Sequence, residues 1–322
     1  MSKPIITADQ IDLNDLTTKF GMSIIQPTPL IQDVTNTADS WIDSNACGGI
    51  FYGSSRIGKS AATKYLKARL SGKYPAPNQV FIVSSSTDSD LHKHHLYRRI
   101  AQALSINYRR GMREDDIRIL VVRRLMMIGK SAKYPRIIMI IDEANDLSDN
   151  EFSILVDLYN ELMVRDVRLS VFLFGTEELA RKKKQFIDTG EMQIVNRFFL
   201  KEKKLTGINS KRALQKCMNS MDSPIAYKDG ELILSRAFFP EAYAKGETFT
   251  AFGADLWDAY AELRGSYGKH DVPLNMMIIA ESLLNVCMAC GIRGKALYKP
   301  RKEDWKEALL ASNLLTIWEK GD

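Results

Sequence analysis

The chain has 322 residues, 45% of them hydrophobic, with 45 Lys and Arg against 39 Asp and Glu for a net charge of +6. That is enough apolar material for one large domain and a smaller one, which excludes a disordered chain. It contains no run of about 18 apolar residues and no apolar leader after Met1-Ser2-Lys3-Pro4, so neither a membrane protein nor a secreted one is expected, and a cytoplasmic location is. Cys47, Cys217, Cys287 and Cys290 are too few and scattered for a disulfide framework. Cys287-x-x-Cys290 falls in an apolar helical pattern without a second ligand pair, which reads as buried thiols rather than zinc ligands.

Residues 1–46 are polar with scattered apolar positions and read as a lead-in, with an elbow at Gln26-Pro27-Thr28-Pro29 before a helix over 30–44. A short strand over 49–52 then meets Gly53-Ser54-Ser55-Arg56-Ile57-Gly58-Lys59-Ser60, which satisfies G-x-x-x-x-G-K-[ST] and precedes a helix over 59–70. The glycines let backbone N–H groups curl around phosphates, Lys59 reaches the β and γ phosphates, and the Ser60 hydroxyl is placed for Mg²⁺. A nucleoside triphosphate is therefore the expected ligand.

A second strand is expected over 79–84, followed by helices across 91–129. From Leu91 to Arg136 the chain carries twelve Lys and Arg against three acids, a patch suited to a polyanion. Lys93, Arg98, Arg99, Arg109 and Arg110 are the expected phosphate contacts, giving sequence-independent, salt-sensitive affinity for duplex DNA. Arg118, Arg123 and Arg124 fall in a helix whose polar face reads as solvated, with some of them expected to pair with Glu114 to Asp116, and His92, His94 and His95 make a weak metal pattern.

Ile137-Ile138-Met139-Ile140-Ile141 reads as a buried central strand ending in Asp142-Glu143. This is a Walker B signature: Asp142 would hold Mg²⁺, and Glu143 would polarise the attacking water. A helix follows over 150–164, then a strand over 169–174 that ends in Gly175-Thr176. Thr176 fits a γ-phosphate sensor and also fits a helix N-cap. In Asn196-Arg197-Phe198, Arg197 is the candidate arginine finger for a neighbouring copy's nucleotide, against an ordinary solvated or ion-paired arginine.

The alternation of strands and helices implies an α/β fold with a parallel sheet. After Leu205 the pattern turns mostly helical, which sets the expected domains at 1–46, 47–205 and 206–322. The aromatic-rich stretch 222–270 looks like an elaboration whose rings form core. The end of the chain, 299–322, either completes this helical part or docks a partner.

Together, residues 53–60, 137–143, Phe174-Gly175-Thr176 and Asn196-Arg197-Phe198 resemble the AAA+ ATPases of transposons, the TnsC/TniB group, over about residues 27–205. The resemblance implies an AAA+ P-loop core with a helical C-terminal lid, ATP and Mg²⁺ as cofactors, and assembly as a ring or helical filament on duplex DNA. It further implies selection of a target site, recruitment of a transposase and contact with target-selector proteins. The segment Val272-Pro273-Leu274-Asn275 departs from the pattern by lacking the lid arginine many AAA+ proteins use as a second sensor. The rival reading is an NTPase switch that binds a protein partner without DNA. A helicase would need accessory motifs not found, and a GTPase would need an Asn-Lys-x-Asp motif, which is missing.

Overall fold

The computed structural model describes residues 4–19, 25–84 and 96–320. They form two compact units: a core unit of Asp33–Ser54 and Ala62–Leu205, and a C-terminal unit of Met1–Gln32, Ser55–Ala61 and Thr206–Asp322. The stretch read as a single lead-in is thus divided between them. In chain order the first elements are α1 (Leu13–Lys19), α2 (Pro29–Asp43), β1 (Gly48–Tyr52), α3 (Lys59–Lys73), β2 (Val80–Ser84), α4 (Leu96–Ala103), α5 (Glu114–Ser131) and β3 (Arg136–Asp142). Next come α6 (Asp149–Met163), β4 (Arg168–Gly175), α7 (Glu178–Asp188), α8 (Met192–Ile194), β5 (Glu202–Lys204), α9 (Lys211–Met221), β6 (Ile225–Tyr227) and β7 (Gly230–Leu232). The last helices are α10 (Leu234–Phe238), α11 (Pro240–Ala244), α12 (Phe249–Ser266), α13 (Met276–Cys290), α14 (Lys302–Leu310) and α15 (Leu314–Lys320).

The core unit is built on a five-stranded parallel sheet in the order β2-β3-β4-β1-β5. β-Branched runs such as Ile137 to Ile141 suit strands buried on both faces, and all five of these residues are fully buried. One face packs against α4, α5 and α6, where Ile117, Val121, Leu125 and Ile128 recur at helical spacing. The other face is aromatic: Phe51 stacks on Phe174 and on Trp41 of α2, each at 4.7 Å between ring centroids. A Cβ at Gly49 would run into the Trp41 ring, so this packing requires a glycine there.

β5 was not anticipated. Its three residues Glu202, Lys203 and Lys204 are polar and exposed or half-exposed, and they become a strand by pairing with Ile50, Phe51 and Tyr52.

The C-terminal unit is mostly helical but includes the antiparallel hairpin β6-β7, also unanticipated. Its core gathers Leu214, Met218, Phe238, Phe239, Phe249, Phe252, Tyr260, Leu283, Cys287 and Trp305, so the aromatics of 222–270 are largely core. Residues near the front of the chain join it: the Ile6 N–H donates to the Glu231 carbonyl at 2.9 Å, and Ile6, Ile11 and Leu16 are buried in the same cluster. Asn275 caps α13, its Oδ1 accepting from the Ile278 N–H at 3.0 Å. Among the described residues, no helix is long and apolar enough to cross a membrane.

Candidate nucleotide site and basic face

The functional end of the core unit is where parallel strands finish together, because in such sheets the loops after the strands present ligand-binding groups. Tyr52 of β1 is in register with Gly175 of β4, and Ile141 of β3 with Leu173 of β4. Neighbouring strands lie about 4.8 Å apart, so β1 and β3, on either side of β4, are separated by about 10 Å. Gly53 and Asp142 follow from the same edge across that interval.

The sequence-predicted phosphate loop begins as the Gly53 N–H donates to the Gly175 carbonyl at 3.2 Å. A Cβ on Gly53 would collide with the Leu205 backbone. Further along, Arg56 sits at φ 60° and Gly58 at φ 107°, the left-handed turns that fold a loop back on itself. Gly58 lies beside Met276, the first residue of α13 in its own unit, where an added Cβ would come 3.6 Å from that side chain. Ser54, Ser55, Arg56 and Ser60 are exposed, Ile57 is buried, and Lys59 is 5% exposed. α3 starts at Lys59 with no acid in its first turn, which leaves its positive end for an anion.

At the end of β3, the Glu143 N–H donates to Asp142 Oδ1 at 3.2 Å, and both side chains are partly exposed. Glu143 adopts φ 53°, a left-handed conformation uncommon for a residue with a side chain and typical of strained functional positions. A short 3₁₀ turn, Ala144–Asp146, follows. In it, Asn145 Oδ1 accepts the backbone N–H of Thr176 at 3.0 Å, and Asn145 Nδ2 donates to Asp146 Oδ1 at 2.8 Å. The sequence reading missed Asn145, although Asp142-Glu143-Ala144-Asn145 places an amide one turn beyond the acids. The Thr176 hydroxyl accepts from the Glu178 N–H at 3.4 Å, a turn just ahead of α7, whose N-cap position is Glu177.

Arg197 sits in a π-helical turn, Val195–Phe199, a local widening of the helix of a kind that recurs at functional sites. Its guanidinium donates to Asn160 Oδ1 at 2.9 Å and to the Gln193 carbonyl at 3.0 Å, and it lies 5.4 Å from the centre of the Tyr159 ring. Tyr159 in turn meets Cys47, just before β1. Five residues of strand, about 16 Å, thus separate Arg197's neighbourhood from the phosphate-loop end of β1.

The basic residues divide. Arg109 and Arg110 are exposed beside a turn at Gly111, and no carboxylate among the described residues pairs with either. Arg98 is half-buried, donating to the Met112 carbonyl at 2.9 Å and lying 5.7 Å from the Tyr108 ring centre. Arg99 corrects the sequence expectation: it is 3% exposed and ion-paired with the fully buried Glu151, so in this structure it does not face DNA. Arg118 pairs with Glu161 at 3.1 Å. Lys93 and the three neighbouring histidines lie outside the described residues. Cys287 and Cys290 are buried in α13, and burial pushes both thiols up, Cys290 to about 11.

Residues 42–182 match the family model described as AAA domain. Among solved structures, the chain is similar to the ORC2 protein of Aeropyrum pernix in its ADPNP–ADP complexes, at 12% identity and a TM-score of 0.52, over 91% of this chain and 71% of that one. It is similar to the ADP form of the same protein at 11% identity and a TM-score of 0.50, over 92% of this chain and 73% of that one. No curated protein matches the sequence. The fold is an AAA+ P-loop core with a five-stranded parallel sheet, and the helical C-terminal part is consistent with a lid. The AAA-domain match supports an NTPase.

Proposed function

We propose that this chain is an ATP-hydrolysing AAA+ regulator that assembles on duplex DNA, selects a target site and recruits or activates a transposase, with hydrolysis as the timer. The observation that carries the ATPase part is the strand-end cluster of Asp142, Glu143, Asn145 and Thr176 beside the start of the phosphate loop. Backbone N–H groups of residues 53–60 would cradle the phosphates and Lys59 would neutralise them. By the phosphate-loop pattern Ser60, and by the strand-end pattern Asp142, would each offer Mg²⁺ a hard oxygen donor. Bound there, Mg²⁺ would offset charge on the β and γ phosphates. Glu143 is the group that orients and deprotonates the attacking water, and Thr176 the one that senses the γ-phosphate.

Arg197 supports a site completed by a neighbouring copy. An arginine about a strand length from its own loop end is badly placed for its own nucleotide; released from Asn160 and the Gln193 carbonyl it would serve another's, where such a group is worth roughly 10³–10⁵ in rate. The DNA part rests on the basic face, with Arg109, Arg110, Arg98 and Lys93 as phosphate contacts. The transposition part rests on the motif resemblance alone.

The deciding experiment measures binding to a random-sequence duplex without nucleotide, with ADP and with a non-hydrolysable ATP analogue, over a salt series, while particle size is followed. ATP-dependent, salt-sensitive binding with growth into large assemblies is the expected result. Absence of DNA binding in every nucleotide state would replace this reading with an NTPase switch acting on a protein partner.

A further inference from the structure

At the opposite end of the sheet, where β1, β3 and β4 begin, the core unit contains a pocket of about 260 Å³ lined by Asn45, Cys47, Arg136, Tyr159, Arg168 and Ser170. Arg136 is 8% exposed and donates to Ser170 Oγ at 3.0 Å and to Asn45 Oδ1 at 2.8 Å. Arg168 donates to that same Asn45 oxygen. Two guanidinium groups therefore converge on one neutral amide. Among the described residues no carboxylate lies within ion-pair distance of either. Asp43 acts on Arg136 only through space and is itself paired with Lys73 at 2.9 Å.

A nearly buried arginine ordinarily has an acidic partner, because a charge removed from water is costly unless compensated. Here the second arginine adds repulsion. Burial, followed among the lowering influences by the Arg168 charge, holds the Arg136 guanidinium below its usual range. The remaining lining consists of small polar groups: the Cys47 thiol donates to the Tyr159 hydroxyl at 3.2 Å, and burial pushes that hydroxyl up, so it stays neutral.

The geometry points to an oxyanion site: the pocket binds a phosphoryl group between Arg136 and Arg168, with the Ser170 and Tyr159 hydroxyls beside it. A planar guanidinium fork matches phosphate oxygens two at a time, and charge-assisted bonds of this kind are the strong ones. The volume admits one phosphate with part of what it is attached to. The site lies at the strand starts, distinct from the phosphate loop, and all of its lining comes from the core unit. The phosphoryl group is either free phosphate or a backbone phosphate of duplex DNA.

Cys47 lines the pocket and is partly exposed, whereas Cys217, Cys287 and Cys290 are buried, so the rate of Cys47 alkylation reads occupancy locally. The full chain is saturated with ADP to fill the phosphate loop, then titrated with inorganic phosphate or, separately, with random duplex. Saturable protection of Cys47 is expected, weakened by about tenfold or more in Arg168→Gln, the change for losing a charge-assisted bond. Protection by inorganic phosphate assigns a free phosphate, and protection by duplex alone assigns the DNA backbone. Protection by neither, or equal protection in Arg168→Gln, overturns the proposal. Asn45→Asp gives a second reading that does not depend on ligand. Its carboxylate supplies the missing counter-charge, and aspartate tolerates the φ of 59° found there. This variant should melt higher than the parent and lose phosphate protection; a lower melting temperature or retained protection would count against the site.

Discussion

Asn145 Oδ1 and the backbone N–H of Thr176 are joined by a 3.0 Å hydrogen bond that ties the turn after β3 to the end of β4. Through it, the position of Thr176 depends on the turn that begins with Glu143. Asn145→Ala should leave nucleotide affinity within about threefold while lowering turnover by about tenfold or more, since misplacing a positioned group acts on the chemical step. Equilibrium binding and steady-state hydrolysis on the same preparation check it; unchanged turnover would show that the tie has no catalytic part.

Lys59 and Glu143 should separate binding from chemistry. Lys59→Ala is expected to abolish measurable nucleotide binding, whereas Glu143→Gln should keep nucleotide and stop hydrolysis. Normal turnover in Glu143→Gln would remove that residue from its proposed role.

Arg197 is tested by mixing. If it serves a neighbour's nucleotide, Arg197→Ala and Glu143→Gln are each inactive alone but recover partial hydrolysis together, because some mixed interfaces combine an intact Glu143 with an intact Arg197. Mixtures no more active than their components would leave Arg197 with only its contacts to Asn160, Gln193 and Tyr159.

The Arg99–Glu151 pair concerns stability. Glu151 is fully buried, and its second oxygen also accepts from the Ser148 N–H and hydroxyl at the start of α6. Glu151→Ala should destabilise the core by about 3–5 kcal/mol, the cost of stranding a buried charge. The double change Arg99→Met with Glu151→Leu should recover most of that while keeping duplex affinity. Chemical denaturation and DNA binding report on the two halves.

Asp222 sets a pH dependence in the C-terminal unit. Burial pushes its carboxyl above the ordinary value of 3.8, the hydroxyls of Ser235 and Thr248 pulling the other way. Among the described residues, neither of its oxygens nor Ser235 Oγ completes a hydrogen bond of ordinary geometry. A raised carboxyl value means the folded state holds the proton more tightly, so the favourable contribution is full below pH 3.8 and is lost as pH rises through the raised value. Asp222→Asn should therefore gain about 1 kcal/mol at pH 7, with the gain disappearing near pH 3.8. A flat difference across that range would contradict the assignment.

The parts legible in the sequence are those where function or burial restricts residue type over a contiguous stretch. Gly53 to Ser60 and Ile137 to Glu143 are of this kind, and the strands around them begin and end within a residue or two of expectation. β5 was not legible because Glu202, Lys203 and Lys204 have no strand pattern of their own; pairing with β1 makes them one. The β6-β7 hairpin did carry a turn signal, Asp229-Gly230, which a scan weighted towards helices passes over. Arg99 sat in a basic block that read as surface, and its partner Glu151 is 52 residues away, where no local pattern connects them. Asn45, Arg136 and Arg168 converge only through strand order.

The contribution of the chain's front to its back has a consequence for synthesis. The Asp12 N–H donates to the Tyr227 hydroxyl at 3.2 Å across 215 residues. At about 5–20 residues per second, Ile6, Ile11 and Leu16 leave the ribosome roughly 10–40 s before the hairpin that receives them. The intervening core unit can fold during that wait, so Ile6, Ile11 and Leu16 find their place after residues made later than they are. A premature stop between Leu205 and Tyr227 would leave Ile6, Ile11 and Leu16 without the hairpin that buries them, in a chain whose core unit is complete.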